Sequence, residues 1–168
     1  MRNKEIVFIS IASILYIICF PCNPLVLTGV LEVKSYFPLF IIGWIVWAFG
    51  MVLVTAPIVM FTKHGNVPKG KSFVSTTRLV NTGIYGVIRH PQYTGGIYAI
   101  FITTLLWYPH WLFAALGTIG TVLTYLGVKE EDKRLITKFG DDYRVYMNRV
   151  PGMNIFLGIM RLLQKQSS

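Results

Sequence analysis

Residues 36–61, YFPLFIIGWIVWAFGMVLVTAPIVMF, contain no acidic, basic or histidine side chain. A helix needs ~20 predominantly apolar residues to cross the hydrocarbon core of a bilayer, and this run exceeds that length. A second stretch, Gln92–Val128, is free of charge apart from whatever proton His110 carries. Across the 168 residues 54% are hydrophobic and 14% charged, against the ~25% charged of an ordinary soluble domain. There is too little polar surface to face water on all sides, so the composition excludes a soluble globular domain and predicts a membrane protein.

Working outward from 36–61, four spans can be drawn: 6–20, 36–61, 92–107 and 111–128. The first, third and fourth are shorter than ~20 residues and must extend into their flanks or sit shallowly. Leu135, Phe139, Tyr143, Tyr146 or Met147 and Val150 then recur at helical spacing, which predicts an amphipathic helix over 129–150 lying along the membrane interface, with 151–168 as a tail. The expected fold is a single all-α integral membrane bundle of about four transmembrane helices closed by that C-terminal interfacial helix.

Loops on the cytoplasmic side retain Lys and Arg. Fifteen of the 16 basic residues precede span one, lie between spans two and three, or follow span four; only Lys34 falls outside. Both termini are therefore expected in the cytoplasm, with the Trp107–Trp111 turn on the outer surface, where aromatic rings favour the headgroup layer. A cleaved signal peptide is the rival reading of the N-terminus, but Pro21-Cys22-Asn23-Pro24 provides no A-x-A-like site, and a retained helix is preferred. The net charge of +9 suits anionic membrane lipid as a partner. Nucleic acid is not expected, because the basic loop has little aromatic character on which bases could stack.

Two local motifs suggest other chemistry. Gly65–Ser72, GNVPKGKS, fits the phosphate-loop pattern G-x-x-x-x-G-K-[ST], which works only where a buried strand feeds the loop and a helix leaves it. Here a membrane helix precedes it, β-branched and hydroxyl residues follow, and no aspartate ends an apolar strand to hold magnesium. Cys19-Phe-Pro-Cys22 is a C-x-x-C, but an electron relay needs a second pair and the chain has two cysteines in all. Both matches are read as accidental.

The chemistry concentrates in two segments. In Leu79–Gly96, LVNTGIYGVIRHPQYTGG, Pro91 suits the first turn of a helix. Arg89 and His90 would then lie at its mouth, beside backbone N–H groups without helical partners, as an anion site. An equally direct reading has Arg89 snorkelling to headgroups and His90 capping the helix. In the tail, counting four back from Leu135 reaches Glu131, a carboxylate on the apolar stripe that needs a partner, whereas Glu130 can form an ordinary helix-surface pair with Arg134. An anion-seeking Arg–His pair and a cation-seeking Glu would together suit a zwitterionic amino-acid group. His64, His90 and His110 are scattered, so no metal site is expected.

The blocks L-V-x-x-G-x-Y-x-x-x-R-H-P-x-Y-x-G at 79–95, E-E at 130–131 and F-G-x-x-Y-x-x-Y-x-x-x-V-P at 139–151 resemble the isoprenylcysteine carboxyl methyltransferase and phospholipid methyltransferase superfamily. The likeness covers roughly the C-terminal half of the chain. It implies a membrane enzyme using S-adenosyl-L-methionine, with His90, Tyr93, Gly95, Glu130 and Glu131 as cofactor-binding candidates. Arg89 and Glu131 are the catalytic candidates, Arg89 steering a carboxylate. Tyr143 and Tyr146 would shape the cavity or pack the core.

Methyl transfer requires the two reactants to be held close and in line. A carboxylate acceptor is already ionised and needs no base, whereas an amine must be neutral, and Glu131 or Tyr93 would then assist. The helix after R-H-P-x-Y departs from the eukaryotic carboxyl methyltransferase pattern. The acceptor is therefore left open among a prenylated cysteine or prenylated peptide, an aminophospholipid and a smaller lipophilic molecule. A membrane sterol-type reductase using NADPH is the nearest enzymatic alternative, disfavoured because the acid of Lys129-Glu-Glu-Asp132 would repel the cofactor's phosphate. The alternative of another class is a non-catalytic protein binding lipid or a partner.

Overall fold

The computed structural model describes residues 2–18, 24–66, 68, 70 and 76–166, and every regular element among them is helical. In chain order these are α1 (Arg2–Ile18), the single turn α2 (Pro24–Leu27), α3 (Phe37–His64), a 3-10 turn (Gly83–Gly86), α4 (Pro91–Gly96), a π-helical stretch (Ile97–Ile102), α5 (Thr103–Trp107), α6 (Trp111–Phe139), α7 (Asp141–Arg149) and α8 (Ile155–Gln166). Two of them, α3 and α6, are long and apolar enough to cross a membrane. The Cys19–Cys22 pair lies outside the described residues, as do several positions of GNVPKGKS. Gly65 of that motif directly follows α3, so helix stands where the phosphate loop requires a strand.

The chain forms two compact units, Met1–Val52 with Gly95–Glu131, and Leu53–Thr94 with Asp132–Ser168. In the first, helices meet where side chains are small, the usual solution when lipid offers no hydrophobic drive to associate. Gly50 faces the backbone of Gly95 and Ala99 so closely that a Cβ would come within 2.5 Å of Ala99 N. Gly120 lies under the ring of Tyr16, whose hydroxyl is 3.3 Å from those of Thr121 and Thr124. Outward-facing Ile45, Val52, Ile119 and Val122 are exposed, as lipid-facing residues would be. The expected pair of interfacial tryptophans divides. Trp111 is exposed, whereas Trp107 is buried against Gly43 and Trp44, and its indole N–H donates to Phe40 O at 3.0 Å.

In the second unit, the single interfacial helix expected over 129–150 is two helices. α6 continues through 129–139, and Gly140, at φ +61°, turns the chain before α7; that left-handed conformation costs glycine nothing. The apolar stripe predicted to meet lipid instead faces protein: Tyr143, Tyr146 and Val150 are buried, packed with Leu79, Leu135, Ile136, Phe139 and Met147. The expected tail, by contrast, contains α8, begun by Asn154, whose side-chain oxygen accepts from Leu157 N at 3.0 Å.

Candidate active site

Pro91 opens α4, as its fixed φ and missing N–H favour. His90 precedes it, and its carbonyl accepts from both the backbone N (3.2 Å) and the hydroxyl (3.0 Å) of Thr94. The backbone before the helix is held from the other side by the segment after α7. Arg89 N donates to Pro151 O at 2.9 Å and His90 N to Gly152 O at 3.0 Å. Two consecutive backbone bonds fix the direction in which both side chains leave the chain.

Both side chains reach Asp132. Its Oδ1 accepts from Arg89 Nη1 at 2.7 Å, His90 Nε2 at 2.8 Å and Tyr143 Oη at 2.6 Å. Three donors on one oxygen require an ionised carboxylate, and bonds to an ionised acceptor are the short, strong kind. Arg89 also donates from Nε to Val150 O at 2.9 Å, and its guanidinium lies 6.0 Å from the centre of the Tyr143 ring. The Arg89 and Asp132 side chains are only 10% and 12% exposed. Burial, and then the bond to Asp132, pushes the Tyr143 phenol well above its ordinary range, so Tyr143 stays protonated and donates. Burial likewise pushes the Tyr146 phenol well above its ordinary range, consistent with its 2.6 Å bond to the Tyr85 carbonyl.

The expected Arg89–His90 pair therefore exists, and the anion it holds is Asp132, which the sequence places only beside the acidic pair. The signal was present in the spacing. Asp132 is three before Leu135, four before Ile136 and seven before Phe139, which puts it at the head of the stripe that packs on Tyr143. Counting four back from Leu135 alone selects Glu131, its neighbour by ~100° around the helix. Of the other expected site residues, Tyr93 has its ring 6.0 Å from that of His90. Gly95 is buried in α4 beside Gly50. Glu130 and Glu131 are half-buried on α6, with Glu131 Oε2 shielded from solvent; both belong to the first unit, as Gly95 does, whereas Arg89, His90 and Tyr93 belong to the second.

Comparison with known proteins bears on the same residues. The methanethiol S-methyltransferase 1 of Bradyrhizobium diazoefficiens is 39% identical over 67 residues, 40% of this chain and 22% of its own length. The methanethiol S-methyltransferase of Pseudomonas deceptionensis is 27% identical over 117 residues, 67% of this chain and 42% of its own. That of Crocosphaera subtropica is 21% identical over 123 residues, 73% of this chain and 47% of its own. The chain thus spans less than half the length of each of these relatives. No solved structure gives a significant match. The phospholipid methyltransferase family profile matches residues 38–142, well over half of the chain and inclusive of Arg89, His90 and Asp132. By that match the chain belongs to the phospholipid methyltransferase family.

Proposed function

We propose that the chain transfers the methyl group of S-adenosyl-L-methionine to a lipophilic acceptor at the cytoplasmic face of a membrane. The observation that carries this reading is the meeting of separate sequence blocks at Asp132 Oδ1. Arg89 and His90 come from the R-H-P block, Asp132 follows the acidic pair, and Tyr143 comes from the F-G-x-x-Y block. Blocks that resemble the family's in sequence are thus joined by hydrogen bonds in a buried cluster, within or beside the family-matched span.

In this reading His90, Tyr93, Gly95, Glu130 and Glu131 hold the cofactor, which supplies an electrophilic methyl carbon. Asp132 and Tyr143 keep His90 and Arg89 in place. Arg89, neutralised in part by Asp132, steers a carboxylate with the remainder of its guanidinium. The termini and the basic loop face the cytoplasm, and 6–20 and 92–107 cross the membrane alongside α3 and α6.

For the acceptor, the names of the relatives favour a small thiol over a phospholipid amine or an isoprenylcysteine carboxylate. A thiol must lose its proton to attack. Glu131 would take that proton, and the cofactor, when bound, would supply the methyl carbon to the resulting thiolate, with S-adenosylhomocysteine as the leaving group. Shielding the reactants from water favours the step, because opposite charges diminish along it.

The test is a three-way assay on membranes bearing the chain, supplied with methyl-labelled cofactor. It offers methanethiol, phosphatidylethanolamine and farnesylcysteine, scored as volatile sulfide, methylated lipid and base-labile ester. The expected result is label in the sulfide, reduced at least about a hundredfold in Glu131→Ala, the scale of general-base loss. Label in none of the three products from folded protein overturns the proposal.

A further inference from the structure

α8 presents an apolar face that none of the described residues of its unit covers. Phe156, Ile159, Met160 and Leu163 follow the i, i+3, i+4, i+7 spacing of one helical face, and they are 75%, 44%, 57% and 59% exposed. The opposite side of the helix is docked. Gly158, about half a turn from the stripe's centre, packs against the Val87 carbonyl so closely that a Cβ would collide with it. Arg161 Nη1 donates to Asn148 O at 3.2 Å and Arg149 O at 3.3 Å, at the end of α7. These contacts fix the rotation of α8 and aim the stripe outward.

We infer that α8 lies in the headgroup–acyl boundary of an anionic bilayer with Phe156, Ile159, Met160 and Leu163 turned into the lipid. Charge selects this occupant. From Tyr143 to Ser168 the sequence has four basic residues, Arg144, Arg149, Arg161 and Lys165, and no acidic one. A cationic amphipathic helix of this kind gains from apolar burial and from attraction to anionic lipid together. The chain also supplies the bilayer's proximity, since α6, long and apolar enough to cross a membrane, precedes α8 by only one short helix. A protein-covered face has a different make-up, as the aromatic hydroxyls of α7 and their acceptors show. The stripe on α8 offers no polar group that needs a protein partner. The inference is independent of methyl transfer.

The experiment places an environment-sensitive fluorophore on single cysteines in full-length protein carrying Cys19→Ser and Cys22→Ser, reconstituted in nanodiscs of phosphatidylcholine with phosphatidylglycerol. Met160→Cys and Leu163→Cys report the stripe. Asp141→Cys, whose native side chain is 97% exposed on α7, reports water. Labels at 160 and 163 should emit to the blue of the label at 141 and be quenched by lipids spin-labelled near the headgroup, and the quenching should weaken when phosphatidylglycerol is omitted. Equal quenching of all three labels by aqueous iodide overturns the inference. So does protection at 160 that occurs only in nanodiscs holding two copies, which would assign the stripe to a second chain, or quenching indifferent to phosphatidylglycerol, which would remove the anionic selectivity.

Discussion

α7 and α8 are neighbouring amphipathic helices that dispose of their apolar faces in opposite ways. α7 turns Tyr143 and Tyr146 inward, to 2% and 6% exposure, while α8 leaves Phe156 at 75%. The difference lies in what accompanies the apolar surface. Each tyrosine brings a hydroxyl that must be satisfied when buried, and the protein provides Asp132 for one and the Tyr85 carbonyl for the other. Phe156, Ile159, Met160 and Leu163 make no such demand. Periodicity reveals that a helix has a face; the polar atoms carried on that face indicate whether protein covers it.

The contrast is broken most severely at its buried end. Tyr143→Ala removes a large core side chain and should cost ~3–5 kcal/mol, seen as a lowered thermal midpoint in detergent, whereas Phe156→Ala in the same detergent should stay within ~0.5 kcal/mol. Asp132→Ala should match the first loss, about 3–5 kcal/mol, because it strands the buried Arg89 charge. Asp132→Asn, which keeps one acceptor oxygen, should lose less. Combined with Tyr143→Phe, Asp132→Ala should fall short of the sum of the single losses, since both remove one shared bond.

Smaller effects sharpen the comparison. Gly158→Val should cost about 1–3 kcal/mol, as overpacking does, and should speed amide exchange in α8 while leaving α7 protected. Tyr146→Phe should cost about 1 kcal/mol for its bond to the Tyr85 carbonyl. Alkaline titration adds a test of sign. The folded protein holds the Tyr143 proton more tightly than an unfolded chain would, so that contribution is fully present below about pH 10 and declines as pH rises above it. Denaturation midpoints followed upward from neutral pH should therefore fall less steeply for Tyr143→Phe than for the unaltered chain.

How far the sequence could be read follows the same division. The uncharged run 36–61 became α3, and Pro91 opened a helix where expected, because bilayer thickness and proline geometry are local constraints. Arg89 and His90 were also identifiable as an anion-binding pair. That Asp132 is the carboxylate they hold was not legible, since a stripe with a 3.6-residue period is consistent with counts of three and four, and only packing shows that Asp132 meets Tyr143. The break at Gly140 was obscured because the apolar rhythm resumes across it. Trp107 looked interfacial by composition, but the space beside Gly43 that admits its ring depends on residues distant in the chain.

The most direct test of the account is calorimetric titration of the full, detergent-solubilised chain with S-adenosylhomocysteine, followed by NADPH. Saturable binding of S-adenosylhomocysteine is predicted, weakened at least tenfold in His90→Ala and Glu131→Ala and retained in Cys22→Ala, with no binding of NADPH. Saturable binding of NADPH alone by folded protein, or binding of neither, would contradict the assignment of Arg89, His90 and the acidic pair to an adenosyl-sulfonium site.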